Sequence, residues 1–418
     1  MTTATESRGS PVSDALSRAL AIVIPALDII EGRVERGAPP AWCEARGWTS
    51  FLLGLPDEIV LRCEAEGLAI GLADRSKVPP DLAALIEAVA AMSRLAPLGG
   101  PPRSLHAPSL RAVSTRKRDQ LAVLLGAIAP MAEEAARIVD VGAGRGHLTR
   151  IAATLFDREA IGLEREASRV AAATALSAHP ETRSTARFVV FDADREELAL
   201  SPGDLALGLH ACGALGDRLV LAAAETGCDL GLISCCFQKI SDAERAPLSR
   251  AGRAAGLRLR KDALGLANLS VSPVGVEGPL AATMEAREAR HALALLLQRR
   301  GLAVSPGEAM RGINRRRAHR GFYALAEQAL ALRGLAPATE DELAGCAREA
   351  AADFARVRRL SLPRALLARP TELALVLDRA AALEDAGLFA AVIELFAIGT
   401  TPRNLAIFAS RSKDRLPR

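Results

Sequence analysis

The chain has 418 residues, half of them apolar, and a net charge of +4, enough for two or three domains with real cores. No apolar run approaches the ~18–20 residues a bilayer span needs, and the polar start MTTATESRGSPVSD lacks the basic-then-apolar order of a signal peptide. These features exclude a helical membrane protein and lead us to expect a soluble, cytoplasmic one with no membrane partner.

Residues 1–100 read as a helical region. SDALSRALAIVIPALDIIEGRV predicts a helix with Asp14 near its start, and PPDLAALIEAVAAMSRLAPL another, closed by the Gly/Pro cluster at 99–102. The pattern changes over 113–240. ARIVDVG, AIGLE, ARFVVFD, LALGLH and LGLISCC are short apolar runs separated by helical stretches such as LTRIAATLF. Strands alternating with helices predict an α/β, doubly wound, mostly parallel sheet. Residues 241–386 lose the alternation and read as a mostly helical insert. LFAAVIELFA and NLAIFAS then supply two last strands in 387–410, joined by the Gly-Thr-Thr-Pro turn at 399–402, before a tail at 411–418.

The loop after the first run is Asp140-x-Gly142-x-Gly144-x-Gly146. Glycines permit positive φ and close backbone approach to a ligand, and the helix starting near His147 aims free N–H groups at it. The third glycine comes one residue too soon for GxGxxG, and no Gly-Lys-Ser/Thr ending makes it a phosphate loop. Glu164 ends the second strand, 24 residues after Asp140, near the spacing of an acid that accepts from a ribose. Asp192 and Ala193 follow the third strand, where a carboxylate and an N–H can meet an adenine edge. Asp140, Gly142, Ala143, Gly144, Gly146, Glu164, Asp192 and Ala193 are the expected cofactor residues, with His210 close by.

His210 and Cys212 follow the fourth strand, in HACG. Cys235 and Cys236 follow the fifth, in SCCF. Adjacent parallel strands bring these ends together as the expected catalytic group. His210 is the expected general base if the acceptor must lose a proton, and Cys212 or Cys235 could act as a nucleophile. The four are also metal-ligand types, but neighbouring cysteines on a regular strand point apart, so no metal site is expected. The seven cysteines are odd in number with no CxxC pair, which argues against a disulfide framework. Cys228 and Cys346 are expected to be core.

With these residues in view, the acidic-first glycine loop resembles motif I of class I S-adenosylmethionine-dependent methyltransferases. LHACGALGD and CCFQKI resemble paired signatures of the methyltransferase-like 25 family, a methyltransferase domain 32 type, and more distantly of the tRNA methyltransferase 13 family. VSTRKRDQL, GWTSFLLGLPDEIV, FYALAEQALALRGL and TPRNLAIF extend the likeness along most of the chain. The resemblance implies a Rossmann-like sheet with an antiparallel last strand, S-adenosylmethionine as cofactor, methyl transfer as the reaction, and substrate contacts at Lys117 and Phe237. The chain departs from the pattern at Phe237, where a tyrosine is usual, and at Lys117, the one lysine of a usual pair.

Only five of the 53 basic residues are lysines, so arginine abundance carries no weight by itself. The run RGINRRRAHRG clusters Arg315, Arg316 and Arg317 without an acid, as a phosphate-contacting patch would. Aromatics are 3%, which leaves few platforms for stacked bases. RNA is the first-ranked acceptor, with a protein or small molecule next. The alternative from a different class is a non-catalytic RNA- or protein-binding module on the same fold.

Overall fold

In the computed structural model, the short apolar runs form one seven-stranded sheet: β1 (Arg137–Val141), β2 (Glu159–Glu164), β3 (Arg187–Val190), β4 (Asp204–Cys212), β5 (Asp229–Cys235), β6 (Phe389–Glu394) and β7 (Leu405–Ser410). The structure describes residues 10–92, 102–105, 110, 113–182, 184–193, 195–269, 280–396 and 404–417. The glycines of the expected 99–102 linker and the whole 399–402 turn lie outside them. Among the described residues, no helix is long and apolar enough to cross a membrane.

The strand order is β3-β2-β1-β4-β5-β7-β6. β1 pairs in parallel with β2 and β4, and β4 with β5. β7 runs antiparallel to both β5 and β6. This is the expected Rossmann-like class I arrangement with its antiparallel last strand. β5 and β7 are buried throughout, as strands covered on both faces must be. Arg137 at the start of β1 holds Asp204 at the start of β4 through Nε at 3.0 Å and Nη2 at 2.5 Å, which pins the register at the end remote from the glycine loop.

The packing separates two units, each discontinuous in sequence: Met1–Glu31, Ala88–Val271 and Leu367–Arg418 in one, Gly32–Glu87 and Ser272–Leu366 in the other. The linear division drawn from composition does not follow these boundaries, because helices distant in sequence cover the sheet. The first unit's helices include α1 (Pro11–Val23), α2 (Thr115–Ala127), α3 (His147–Phe156), α4 (Ala167–Ala178), α5 (Ala214–Thr226) and α6 (Ala368–Asp385). The first expected helix breaks into three pieces, α1, a 3-10 turn at Ile24–Ala26 and a short helix at Leu27–Glu31. Pro25 falls in that turn and lacks the N–H a continuous helix needs. Leu121, Leu124 and Leu125 of α2, Leu148 and Ile151 of α3, and Ile138, Leu205, Ile233 and Phe408 of the sheet share one core.

α6 is buried on all sides from Thr371 to Leu383, which fits its apolar run, yet it carries Asp378 and Arg379 at 0% exposure. Arg379 donates from Nε to Asp217 Oδ1, from Nη1 to Ser234 Oγ and from Nη2 to the Gly213 carbonyl, each at 2.8 Å. Arg245 bridges the same Asp217 (2.9 Å) to Asp378 (3.1 Å). Two guanidiniums and two carboxylates thus neutralise one another inside the unit. Burial pushes the Asp217 carboxyl up, but Arg379 and Arg245 together hold it below the usual carboxylate range.

The second unit has its own core on the helices Leu280–Arg299, Phe322–Leu332 and Glu340–Leu366. Trp48 is buried in the same unit, packs edge-on to Trp42 and donates from Nε1 to Asp81. Arg358 meets Glu64, and Arg36 meets Asp353 and Glu349. Many arginines here are therefore structural.

Replacing Arg379 with methionine should cost the first unit roughly 3 kcal/mol, because it strips a buried carboxylate of one cation, and the Ser234 hydroxyl and Gly213 carbonyl of their donor. Urea unfolding will read this. The double change with Asp217→Asn should cost less than the sum of the singles. The Asp217 contribution is present above pH 3.8 and fades as the pH falls through its depressed folded-state value.

Candidate active site

The strand order reverses between β1 and β4, and ligands of open α/β sheets bind outside the strand carboxyl ends at such a point. The glycine loop sits there, between β1 and α3. Gly142, Gly144 and Gly146 adopt φ of 79°, 60° and 71°, a region that side chains disfavour. Gly146 has a second reason to be glycine: a Cβ there would lie 2.4 Å from the Phe188 ring. A Cβ on Gly144 would meet nothing within 4 Å, so this glycine faces open space. The Gly142 and Ala143 amides donate to the Leu163 carbonyl at 2.8 and 3.0 Å. Glu164 at the end of β2 accepts from Gly144 N through Oε2 (2.9 Å) and from Glu166 N through Oε1 (3.0 Å). The expected ribose acid therefore also ties the loop to its neighbouring strand.

Asp140 lies beneath the loop at 2% exposure and accepts from Thr149 Oγ1 at 2.6 Å. Burial lifts its pKa to about 6, against the opposing pull of the Thr149 hydroxyl and the Lys117 charge. Lys117, expected at a substrate surface, is half-buried on α2, where burial lowers its pKa and Asp140 raises it. It is a partner of the loop carboxyl in this structure. His147 opens α3 with Nδ1 buried and unpaired, and burial, then the Arg150, Arg145 and Lys117 charges, lower its pKa to about 4. It stays neutral at physiological pH.

A cleft of about 320 Å³ opens over these elements, lined by Gly142, Glu164, Asp192, Ala193 and Cys212 among the expected residues. Phe191, Leu215 and Lys239 complete much of the wall. Asp192 is held by Arg195 at 3.6 Å, and its amide donates to Glu196 Oε1 at 2.7 Å.

At the next strand ends, Cys212 of β4 pairs in register with Cys235 of β5, and their sulfurs lie 2.7 Å apart. The register shifts between Leu209 and Ala211, so His210 sits in an irregular stretch of β4; its side chain is outside the described residues. Cys236 turns off the end of β5 with φ of 41°, and the sulfurs of Cys212, Cys235 and Cys236 lie within 4.8 Å of one another. The objection that adjacent cysteines point apart holds for a regular strand but not for this turn. Contact with Cys212 and Cys236, then burial, holds the Cys235 thiol far above the ordinary range, so it is a poor nucleophile on its own. Gly213 is obligatory here: its φ is 52°, and a Cβ would lie 2.0 Å from the Lys239 carbonyl.

Phe237 does not present a face to a substrate. It is 2% exposed, with the Arg379 guanidinium 4.7 Å over its ring, so it packs. Arg315, Arg316 and Arg317 form a 3-10 turn in the second unit. Arg315 and Arg316 are exposed, while Arg317 is half-buried and donates to Gln328 Oε1 at 2.8 Å. Cys228 and Cys346 are buried core residues. Arg379 and the burial of His147 escaped sequence reasoning, while Asp217 and Lys239 lie in the LHACGALGD and CCFQKI runs with no role assigned to them. The signal for Arg379 was its place beside Asp378 in a helix with a long apolar run.

Residues 116–243 match a family model described as a methyltransferase domain. No curated protein matches the chain. Among solved structures, the chain is similar to coclaurine N-methyltransferase bound to N-methylheliamine and SAH, at 17% identity over 46% of this chain and 62% of that one, TM-score 0.26. The chain thus spans just under two thirds of that enzyme. It is similar also to mycolic acid cyclopropane synthase CmaA1 complexed with SAH (15% identity, 60% and 90% covered, TM-score 0.25). Human N-acetylserotonin methyltransferase with SAM gives 10% identity, 55% and 81% covered, and TM-score 0.21.

The folded-state value of Asp140 exceeds the ordinary 3.8, so its contribution to stability is present below pH 3.8 and is lost as the pH rises through about 6. Carboxyl NMR should show this residue titrating near 6. Thr149→Val removes a hydrogen bond to the charged form and should move the midpoint up.

Proposed function

We propose, on the premise that residues 116–243 are a methyltransferase domain, that this chain is an S-adenosylmethionine-dependent methyltransferase whose acceptor is RNA. The observation that carries the cofactor assignment is the convergence of Gly142, Glu164, Asp192 and Ala193 on one cleft at the switch point, with open space beside Gly144 in the same loop. The donor set fits. A carboxylate offers about four acceptor positions; the Gly144 and Glu166 amides take two of those on Glu164, with Arg169 at 4.0 Å, which leaves positions for ribose hydroxyls as well. Asp192 and the Ala193 amide suit an adenine edge.

When bound, the cofactor supplies a methyl group on a positively charged sulfonium. The chain's own part is to bind, orient and exclude water, and alignment alone is worth on the order of 7–11 kcal/mol. His147, held neutral, adds no positive charge beside that sulfonium. Lys117 and Asp140 offset each other beneath the loop. His210, at the irregular end of β4, is the residue we assign to take an acceptor proton where one must leave. RNA as acceptor is supported by the exposed Arg315 and Arg316, which suit phosphate contacts, and by the sequence resemblance to tRNA-modifying enzymes. The free cysteines suit a cytoplasmic setting.

Isothermal titration should show S-adenosylmethionine and its demethylated product binding the wild type. Gly144→Arg should abolish binding, since it fills open space from a left-handed position. Asp192→Ala should weaken binding about tenfold, the worth of one good hydrogen bond. Unimpaired binding by Gly144→Arg would overturn the cofactor assignment.

Labelled methyl transfer into fractionated lysate from a deletion strain should place the label in RNA. Label in protein or metabolites would replace the acceptor, and binding without turnover on any fraction would favour a non-catalytic module.

A further inference from the structure

We propose that Cys212, Cys235 and Cys236 form a three-thiolate site for a zinc ion, with its remaining coordination position directed to the cleft. Zinc bound to thiolates has metal–sulfur distances of about 2.3 Å in a tetrahedron, which puts the sulfurs about 3.8 Å apart. The three sulfurs lie within 4.8 Å of one another; those of Cys212 and Cys235, 2.7 Å apart, must open by about 1 Å to reach that spacing, which a side-chain rotation supplies. No other group of three potential ligands of this kind occurs among the described residues.

The three positions are fixed by separate features of the backbone. Cys212 and Cys235 are register partners on adjacent parallel strands. Cys236 would point to the opposite sheet face if β5 continued, but its φ of 41° turns it back. Non-glycine residues hold such a conformation at a cost of about 1–3 kcal/mol, so the surrounding structure must enforce it. That structure is visible. Arg379 grips the Gly213 carbonyl, one residue past Cys212, and the Ser234 hydroxyl, one residue before Cys235. Lys239 N closes the turn onto the Cys236 carbonyl at 3.0 Å. Ligands braced by such outer hydrogen bonds are what a metal site requires.

Cys235 is 4% exposed while Cys212 lines the cleft, so the ion would be sheltered on the strand side and open on the other. Three protein ligands with a free position is the pattern of a reactive zinc site, whereas structural sites close with four. A zinc ion with three thiolates carries one net negative charge. Beside the cleft, and resting on the methyltransferase reading, that charge favours a cationic cofactor, and the open position gives an acceptor oxygen, nitrogen or sulfur a place to coordinate.

The test uses the full chain, purified under reducing conditions, and its readout is metal, so it stands whether or not S-adenosylmethionine binds. Elemental mass spectrometry after dialysis should find one zinc per chain in the wild type. Cys212→Ser and Cys235→Ser should each lower retention at least tenfold against a competing chelator. Because those variants could misfold, cobalt(II) added to zinc-free wild type gives an independent reading. It should produce thiolate-to-cobalt charge-transfer absorption, and Cys236→Ser should cut its intensity by about a third. Reduced wild type that takes up neither zinc nor cobalt(II) overturns the site. So does equal zinc in the triple serine variant, or a Cys212–Cys235 disulfide found by peptide mapping without added oxidant.

Discussion

The Arg379 guanidinium, wholly buried on α6, is the constraint on which the strand-end region depends. Its three donors reach Asp217 at the start of α5, the carbonyl just past β4 and the hydroxyl just before the end of β5. A buried guanidinium is costly unless every donor is met, so these partners have little freedom to move apart. Arg245 and Asp378 complete the charge balance. The network therefore holds two parallel strand ends at a fixed separation.

That brace and the glycine loop solve different problems. The loop is built from residues that leave space: Gly144 faces the open side, and Gly146 lets Phe188 pack against its back. The strand ends are built from residues that fill it, with Gly213 present only because the Lys239 carbonyl occupies the place of a side chain. Between the two lies the cleft. Beneath the glycine loop, burial raises the Asp140 carboxyl to about 6 and lowers His147 to about 4. The cleft wall carries Glu164 and Asp192 together with Arg165, Arg169 and Lys239.

The sheet was legible because period and punctuation survive in one dimension. ARIVDVG, LGLISCC and NLAIFAS read as strands from their apolar runs, and the glycines after β1 announced a tight turn whose φ angles are indeed positive. Glu164, Asp192 and Ala193 were legible because they follow strand ends, and strand ends converge in this topology. Cys212 and Cys235 were paired in advance for the same reason. The burial of Phe237 was not legible because it depends on Arg379, 142 residues later in the chain. The half-burial of the Lys117 ammonium near Asp140 was not legible, because it is invisible in a run of polar residues.

The sequence alone determined the alternation of strands and helices, the turn that needs glycine, and the acids that follow each strand, since these depend on local backbone preferences and spacing. The tertiary structure decided which side chains are buried, which charges face one another, and that Cys236 turns back toward Cys212 and Cys235. Those outcomes rest on contacts between segments up to a hundred residues or more apart. Their strength comes from removing water from both partners at once, and no single segment can do that.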